Sequence, residues 1–353
     1  MKKALKIVLY VVLGAAFLFG SFLTYLTFVD FNPTGAEVLY QSPESTPIAD
    51  TAELTLVSWN LGYSGLSKEM DFFYDGGQQV YPEEAVVQAN FQGIKSQMEA
   101  FRQADFILLQ EVDQSSQRSH YLNQRDSISQ LFGDYTSTFG VNYKVPFVIV
   151  PVTKPMGKVL SGIQILSKPT PTLSERHSFV GNYAWPKSLF MLDRCFMVNR
   201  YPTSNGKELI LINTHNEAYD DGGLRTAQMK QLHAFISNEY QQGNYVIVGG
   251  DWNQCPPNFE PQFALDKMDY EEKMDIKPNY IAADWKWVFD PSLPTNRRVK
   301  APYTQGTTLT TVIDFFLLSP NVQSVEVKNM DMGFQYSDHQ AVRLKVKLIP
   351  SVK

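Results

Sequence analysis

The feature that most restricts what this chain can fold into is an event repeated five times. A short apolar run, rich in β-branched residues, ends at or begins beside a polar side chain able to bind metal or move a proton. Residues 54–59 alternate and end at Asn60, and residues 106–109 end at Gln110 and Glu111. Residues 209–212 deliver Asn213, Thr214 and His215, and residues 246–248 lead through two glycines to Asp251, Trp252 and Asn253. Ser337, Asp338 and His339 stand just before the alternating run 341–348. Such runs read as strands, and polar groups at strand ends are held by rigid scaffold where enzymes place their chemistry.

Between these runs lie two stretches of helical period. Residues 83–102 place Val86, Val87, Phe91, Ile94, Met98 and Phe101 on one stripe, and residues 224–240 form a second amphipathic helix. Further strands are expected at 162–166 and 195–198, and a strand pair at 311–318 and 322–327 turns at Ser319-Pro320-Asn321. The fold class is therefore α/β in the broad sense that includes α+β. Asp314 falls inside its strand between Ile313 and Phe315, where a charge is costly without a partner. A histidine is the natural partner, because a buried carboxylate accepting an imidazole N–H fixes the tautomer and raises the ring's basicity.

The first residues obey a different rule. Lys2, Lys3 and Lys6 precede an uncharged run over 7–29, long enough to cross a bilayer as a helix. A cleaved signal peptide would have an apolar core of roughly 7–15 residues followed by a small-residue cleavage site, and neither is evident. No cysteine follows the run, so a lipoprotein anchor is unsupported. Residues 1–29 are read as an uncleaved signal anchor and transmembrane helix. Lysines before the span and none directly after it predict a cytoplasmic N-terminus and an extracytoplasmic domain. Residues 30–52, with Pro33, Pro43 and Pro47, read as an extended linker, and 53–353 as one catalytic domain.

Composition narrows the partners. Without the seven charged residues before position 53, the domain has 28 basic against 32 acidic residues. That balance does not favour a protein gripping long nucleic acid by its backbone, although Arg297, Arg298 and Lys300, or Lys154, Lys158 and Lys168, could form local patches. Cys195 and Cys255 are the only cysteines and show no C-x-x-C spacing, so both read as small buried residues. No protein partner is indicated.

The polar set itself has a chemical logic. Glu111 and Asp338 are hard oxygen ligands, and Asn60 can add an amide carbonyl, a set that suits Mg²⁺ or Mn²⁺ better than zinc or copper. Such a metal, keeping several waters, usually serves a phosphate ester, whose cleavage needs an in-line nucleophile and charge neutralisation on oxygen. His339, oriented by Asp314, could deprotonate water. Asp251 and Asn253 could align it and hold phosphoryl oxygens, and His215 could stabilise developing charge or protonate the leaving group. Gly-x-Ser-x-Gly, a Walker-type loop and His-Glu-x-x-His are all absent, and His120, His177 and His233 lack a motif context.

Taken in order, the segments 57–60, 109–112, 161–167, 213–215, 250–253, 313–317 and 337–339, with Arg225 and Gln228 on the helix between, resemble the endonuclease/exonuclease/phosphatase superfamily of deoxyribonuclease-I-like metal-dependent phosphoesterases. The resemblance implies a four-layer sandwich, two mixed β-sheets face to face with helices outside. It implies that Glu111 and Asn60 hold or approach a divalent metal, Asp251 aligns the nucleophile, Asn253 binds phosphate and the Asp314–His339 pair supplies a base or phosphate contact. Asn142 and Lys144 fall where some relatives make further phosphate contacts. Fold and metal do not choose among lipid, inositol-phosphate and nucleic-acid substrates. Selection is expected in loops at 64–80, 140–160, 174–193 and 255–305, where Trp185, Trp285 and Trp287 could line a groove or meet lipid headgroups. A membrane-linked phosphodiesterase acting on a phospholipid or another small phosphoester is the leading expectation. An extracytoplasmic nuclease, and a membrane-tethered binding module without catalysis, are the alternatives.

Overall fold

The structure, a computed structural model, describes residues 1–220, 222–260 and 275–350. It begins with the helix α1 (Lys2–Val29), whose side chains are mostly exposed, followed by the strands β1 (Ala36–Gln41) and β2 (Glu53–Asn60). Next come α2 (Glu84–Met98), β3 (Phe106–Asp113), α3 (Gln124–Leu131), β4 (Thr136–Val148), β5 (Gly157–Ser167), β6 (Leu173–Ser178), β7 (Cys195–Pro202) and β8 (Glu208–His215). The chain continues through α4 (Gly223–Gln241), β9 (Tyr245–Asp251), β10 (Lys286–Val288), β11 (Asn296–Arg297), β12 (Thr310–Thr311), β13 (Asp314–Leu318), β14 (Val322–Asn329) and β15 (Val342–Leu348).

The long strands form two sheets. One has the order β1-β6-β7-β8-β9-β13-β10, with β8 and β9 parallel and the other neighbours antiparallel. The other has the order β14-β15-β2-β3-β5-β4, with β2 and β3 parallel. Period-two alternation assigns each side chain to a face. Leu54, Leu56, Phe106 and Leu108 point inward to meet Met197, Leu209, Leu211, Ile247 and Phe316 between the sheets. Val57, Trp59, Ile107 and Leu109 point outward against Phe91, Ile94, Met98 and Ile128 of α2 and α3. Ile210, Ile212, Val246 and Val248 cover the other sheet's outer face beneath Met229, Leu232 and Ile236 of α4. The result is helix, sheet, sheet, helix: the four layers expected.

Polar side chains also cross the apolar interlayer, at Asn199 and Thr138 and at Gln110 and Asn213. Gln110 Nε2 donates to Asn213 Oδ1 at 2.7 Å, and Asn213 Nδ2 donates to the carbonyls of Leu109 and Gln164 at 3.0 and 3.1 Å. Both side chains are buried, so the links join the two sheets where unpaired amides would be costly.

Several expectations are corrected. Residues 30–52 are not a free tether, because β1 pairs with β6 along the edge of its sheet and Ile48 bridges to Thr203. An alternating Ala36–Gln41 segment can satisfy an edge strand's unpaired backbone groups. Most of 140–160 is strand, from β4 and β5, with a turn between. Of the loop expected at 255–305, residues 261–274 lie outside the described residues. Trp285 and Trp287 pack in the outer core over β13 and β9 rather than lining a groove, whereas Trp185 is exposed. Cys195 and Cys255 are buried in two different core clusters and are not joined to each other.

Candidate active site

Register places the polar residues side by side. In one sheet His215 pairs with Asp251 across β8 and β9, and Asp251 pairs with Asp314 across β9 and β13. In the other sheet Asn60 pairs with Gln110, directly before Glu111. Both sets lie at the same end of the sandwich, where they meet a cavity of about 710 Å³. Two backbone features aim them. Glu111 adopts φ +52° at the register shift between Leu109 and Val112, a bulge that re-directs its side chain. Gly250 has φ +142° and packs against the backbone of Thr214 so closely that a Cβ would collide with it, which lets β9 deliver Asp251 next to β8.

Asn60 is the hinge of the network. Its Oδ1 accepts from the Gly62 amide at 3.0 Å, while Nδ2 donates to Asp251 Oδ2 at 3.0 Å and approaches Glu111 Oε1 at 3.4 Å. Gly62 requires an acceptor and the carboxylates require a donor, so the amide orientation is fixed by its partners. Asn60 therefore orients the carboxylates through Nδ2, while its Oδ1, held by the Gly62 amide, keeps a second lone pair. Asp251 Oδ1 accepts from the Asn253 amide at 2.9 Å, and Asn253 Nδ2 donates to the Asn216 carbonyl at 2.8 Å.

His339 Nδ1 donates to Asp314 Oδ2 at 2.8 Å, the partnership expected for a carboxylate inside a strand. Its Nε2 lies 3.0 Å from the Asn296 amide nitrogen and 3.7 Å from Asp251 Oδ2. The Ser337 hydroxyl donates to the Asn60 carbonyl at 2.8 Å and accepts from the His339 amide at 3.1 Å, which ties this loop to β2. Gly62, at φ +50°, packs under Asp338: a Cβ there would stand 2.7 Å from Asp338 Oδ1.

Electrostatics separates the two histidines. Burial opposes a charge on His339, but the carboxylates of Asp314, Asp338 and Asp251 outweigh it, and the imidazole is pushed up to about 10. Burial, with the Arg194 guanidinium nearby, holds His215 well below its ordinary value despite Asp251. Asp251 is buried too, yet His339 and His215 and its hydrogen bonds keep its carboxyl below the usual range. At neutral pH the site presents an imidazolium at His339, a neutral ring at His215 and a carboxylate at Asp251. Environments that push two like groups apart are how one site obtains both acid and base functions.

Of the residues singled out from sequence, Glu111, Asn142, His215, Asp251, Asn253, Asp338 and His339 line the cavity. Asn60 and Asp314 stand directly behind, bonded to Asp251 and His339. Lys144 is not brought in. It is exposed, with its ammonium 5.1 Å from the Phe31 ring, because the register shift between Val141 and Tyr143 breaks the alternation that would keep it beside Asn142. Sequence reading missed Asn296, carried by a two-residue strand too short to show a pattern, and Arg118 and Arg194, buried cations on the cavity wall. Arg118 pairs with Asp113 at 2.9 Å and lies 3.7 Å from the Tyr63 ring centroid.

The residues present fit a divalent cation. Glu111 and Asp338 put carboxylates on the cavity wall, and burial pushes Asp338 up to about 7, a cost that a neighbouring cation would remove. Donor atoms of Asp251, Asp314 and His339 also cluster within 4.8 Å of one another. In that trio, however, His339 Nδ1 is already spent on Asp314, so it reads as a hydrogen-bonded relay. Glu111 and Asp338 are the better pair of ligands.

A two-sheet α/β sandwich with acid, amide and imidazole groups gathered at one end of both sheets defines the class. Within it, the Endonuclease/Exonuclease/phosphatase family profile matches residues 57–339, and the chain belongs to that family. Solved structures of similar fold include ANGEL2, a 2′,3′-cyclic phosphatase, at 15% identity and TM-score 0.54 over 90% of this chain and 99% of that one. The human Nocturnin catalytic domain with bound sulfate aligns at 15% identity and TM-score 0.52 over 86% and 97% of the two chains. D. rerio TDP2 complexed with single-strand DNA product aligns at 16% identity and TM-score 0.50 over 84% and 99%. At these identities the likeness is one of fold. No curated protein matches by sequence.

Proposed function

We propose that this protein is a divalent-metal-dependent phosphodiesterase, anchored in a membrane by α1, that hydrolyses its ester by in-line attack of water. The observation that carries the reading is the register that sets His215, Asp251 and Asp314 on adjacent strands, with Asn60 and Glu111 brought against them from the second sheet. Asp251, ionised and held by Asn60 and Asn253, aligns the water and takes its proton. The base role expected for His339 passes to Asp251, because an imidazole surrounded by carboxylates already holds a proton. His339, clamped by Asp314, instead sets its positive charge against the phosphoryl oxygens, and neutral His215 adds an N–H without adding charge. Asn142 and Asn253 supply further amide donors along the same wall. A cation bound by Glu111 and Asp338, Mg²⁺ or Mn²⁺ by the hardness of its ligands, would neutralise phosphoryl and leaving-group oxygens.

The Lys2, Lys3 and Lys6 cluster before α1 supports a cytoplasmic N-terminus with the domain on the other side. A nuclease remains the alternative, as D. rerio TDP2 was crystallised with a DNA product. Two features favour a smaller ester. Lys154, Lys158 and Lys168 are engaged separately, with the Tyr81 ring, Ser115 and the Gln103 carbonyl, and so make no common patch. Arg297 is buried, donating to the Ser67 carbonyl at 2.6 Å.

The test uses a water-soluble aryl diester with Mg²⁺ or Mn²⁺. Wild-type protein should release the aryl alcohol, chelation should abolish release, and Asp251→Asn should lower kcat by about a thousandfold or more with little change in melting temperature. Turnover that survives thorough chelation, or a near-wild-type rate in the variant, would remove the mechanism.

A further inference from the structure

The helix α1 is not simply a leash. Leu23 and Leu26 are buried against Leu189, and Phe22 packs on Phe190 and Phe147 with ring centroids 6.4 and 6.3 Å apart. The Trp185 indole donates to Thr27 Oγ1 at 3.2 Å. All these contacts fall within the last two turns of the span, the final ~10 Å of its axis at 1.5 Å per residue. The partners belong to two segments that also wall the active-site cavity. From one come Lys187, Phe190 and Met191, and from the other Val148, Ile149 and Val150. The Tyr143 hydroxyl, donating to the Phe190 carbonyl at 3.0 Å, fastens the first segment to β4.

Among the described residues, this rim carries apolar side chains left largely exposed. Val152 is 78% exposed, Trp185 61% and Val150 46%, and Tyr25 and Phe28 in the last turns of α1 are exposed as well. Lys154 and Lys187 stand beside them, each ammonium over a tyrosine ring. Apolar residues with an interfacial tryptophan and flanking lysines are the composition of a surface that sits at the boundary of headgroups and acyl chains. A helix whose terminal turns touch the rim cannot span a bilayer without bringing that rim to the same depth.

Resting on the phosphodiesterase reading above, we propose that the rim formed by residues 147–152 and Trp185 is seated in the outer boundary of the bilayer that α1 spans, and that the cavity receives its phosphodiester from a phospholipid headgroup of that leaflet. The reaction is balanced by one water: its oxygen bonds to phosphorus, one P–O ester bond breaks, and the departing alcohol carries a proton. The products are a phosphomonoester and an alcohol, whichever side of the headgroup phosphate is cut.

The test uses the full chain reconstituted in phosphatidylcholine vesicles with Mg²⁺ or Mn²⁺, and three readouts. Brominated lipids should quench the part of the tryptophan emission that Trp185→Phe removes, a reading independent of turnover. Headgroup or phosphomonoester release from the vesicles should accompany hydrolysis of a soluble aryl diester. Val152→Asp, a residue outside the cavity wall, should lower lipid hydrolysis about tenfold or more while the soluble diester is cleaved at the wild-type rate. Unquenched Trp185 emission would overturn the docking. Cleavage of the soluble diester with intact vesicle lipid would overturn the lipid substrate and leave the phosphodiesterase standing. Inactivity on both would remove the phosphodiesterase, and the lipid substrate with it. Equal loss on both substrates in Val152→Asp would also count against the inference, since the loop would then be supporting the site rather than meeting a membrane.

Discussion

At the scale of single residues, the site depends on donors and acceptors that leave each other little choice. Asn60 can bridge Asp251 and Glu111 only because Gly62 occupies its carbonyl. Glu111 contributes differently from Asp251, because its carboxylate accepts only the long Asn60 contact and otherwise faces the cavity, among the described residues. Glu111→Gln should therefore raise the concentration of Mg²⁺ or Mn²⁺ needed for half-maximal rate by about tenfold or more, before it affects the fold. A metal titration of the variant with the soluble diester measures this, and an unchanged midpoint would reassign the ligand. Most of these residues were legible in the chain, because each sits where an apolar run stops. Asn296 was not, since its strand has two residues, and Lys144 was misplaced because a register shift leaves no mark in composition.

At the scale of elements, the runs at 54–59, 106–109, 209–212 and 246–248 became β2, β3, β8 and β9 because alternating or continuous apolar residues can be buried on one or both faces of a sheet. The segment Ala36–Gln41 was hidden by the prolines around it, and its pairing with β6 only makes sense once that sheet edge exists. That segment also brings Asp30, at the end of α1, toward Asp193. Burial, and then the Asp30 charge, push the Asp193 carboxyl up to about 7, against partial relief from Arg176. A raised carboxyl favours folding while it is protonated. Its contribution is fully present below its unfolded value of 3.8 and is lost as pH climbs through about 7. Asp193→Asn should consequently flatten the fall in stability between pH 4 and pH 8 and gain roughly 1–2 kcal/mol at the upper end, a figure discounted for the water the group retains. Denaturant titrations at the two pH values check it, and identical slopes in both proteins would exclude the effect.

At the scale of the whole molecule, the helix and the domain act as one unit through Leu23, Leu26 and Leu189. Full-length protein should stay with membranes through alkaline extraction, and protease added outside intact cells should remove the domain while sparing α1. Protection in intact cells with cleavage after lysis would reverse the proposed orientation. The two-sheet architecture has a quieter consequence. Half of the site belongs to one sheet and half to the other, and apolar burial, being non-directional, guards less sharply than hydrogen bonds against a slide of one strand position, about 3.3 Å. Such a slide would part Asn60 and Glu111 from Asp251. The buried amides of Gln110 and Asn213, with the Leu109 and Gln164 carbonyls, act as a dowel that forbids it, so the alignment of the reacting groups is decided in the dry interior, one layer away from any substrate.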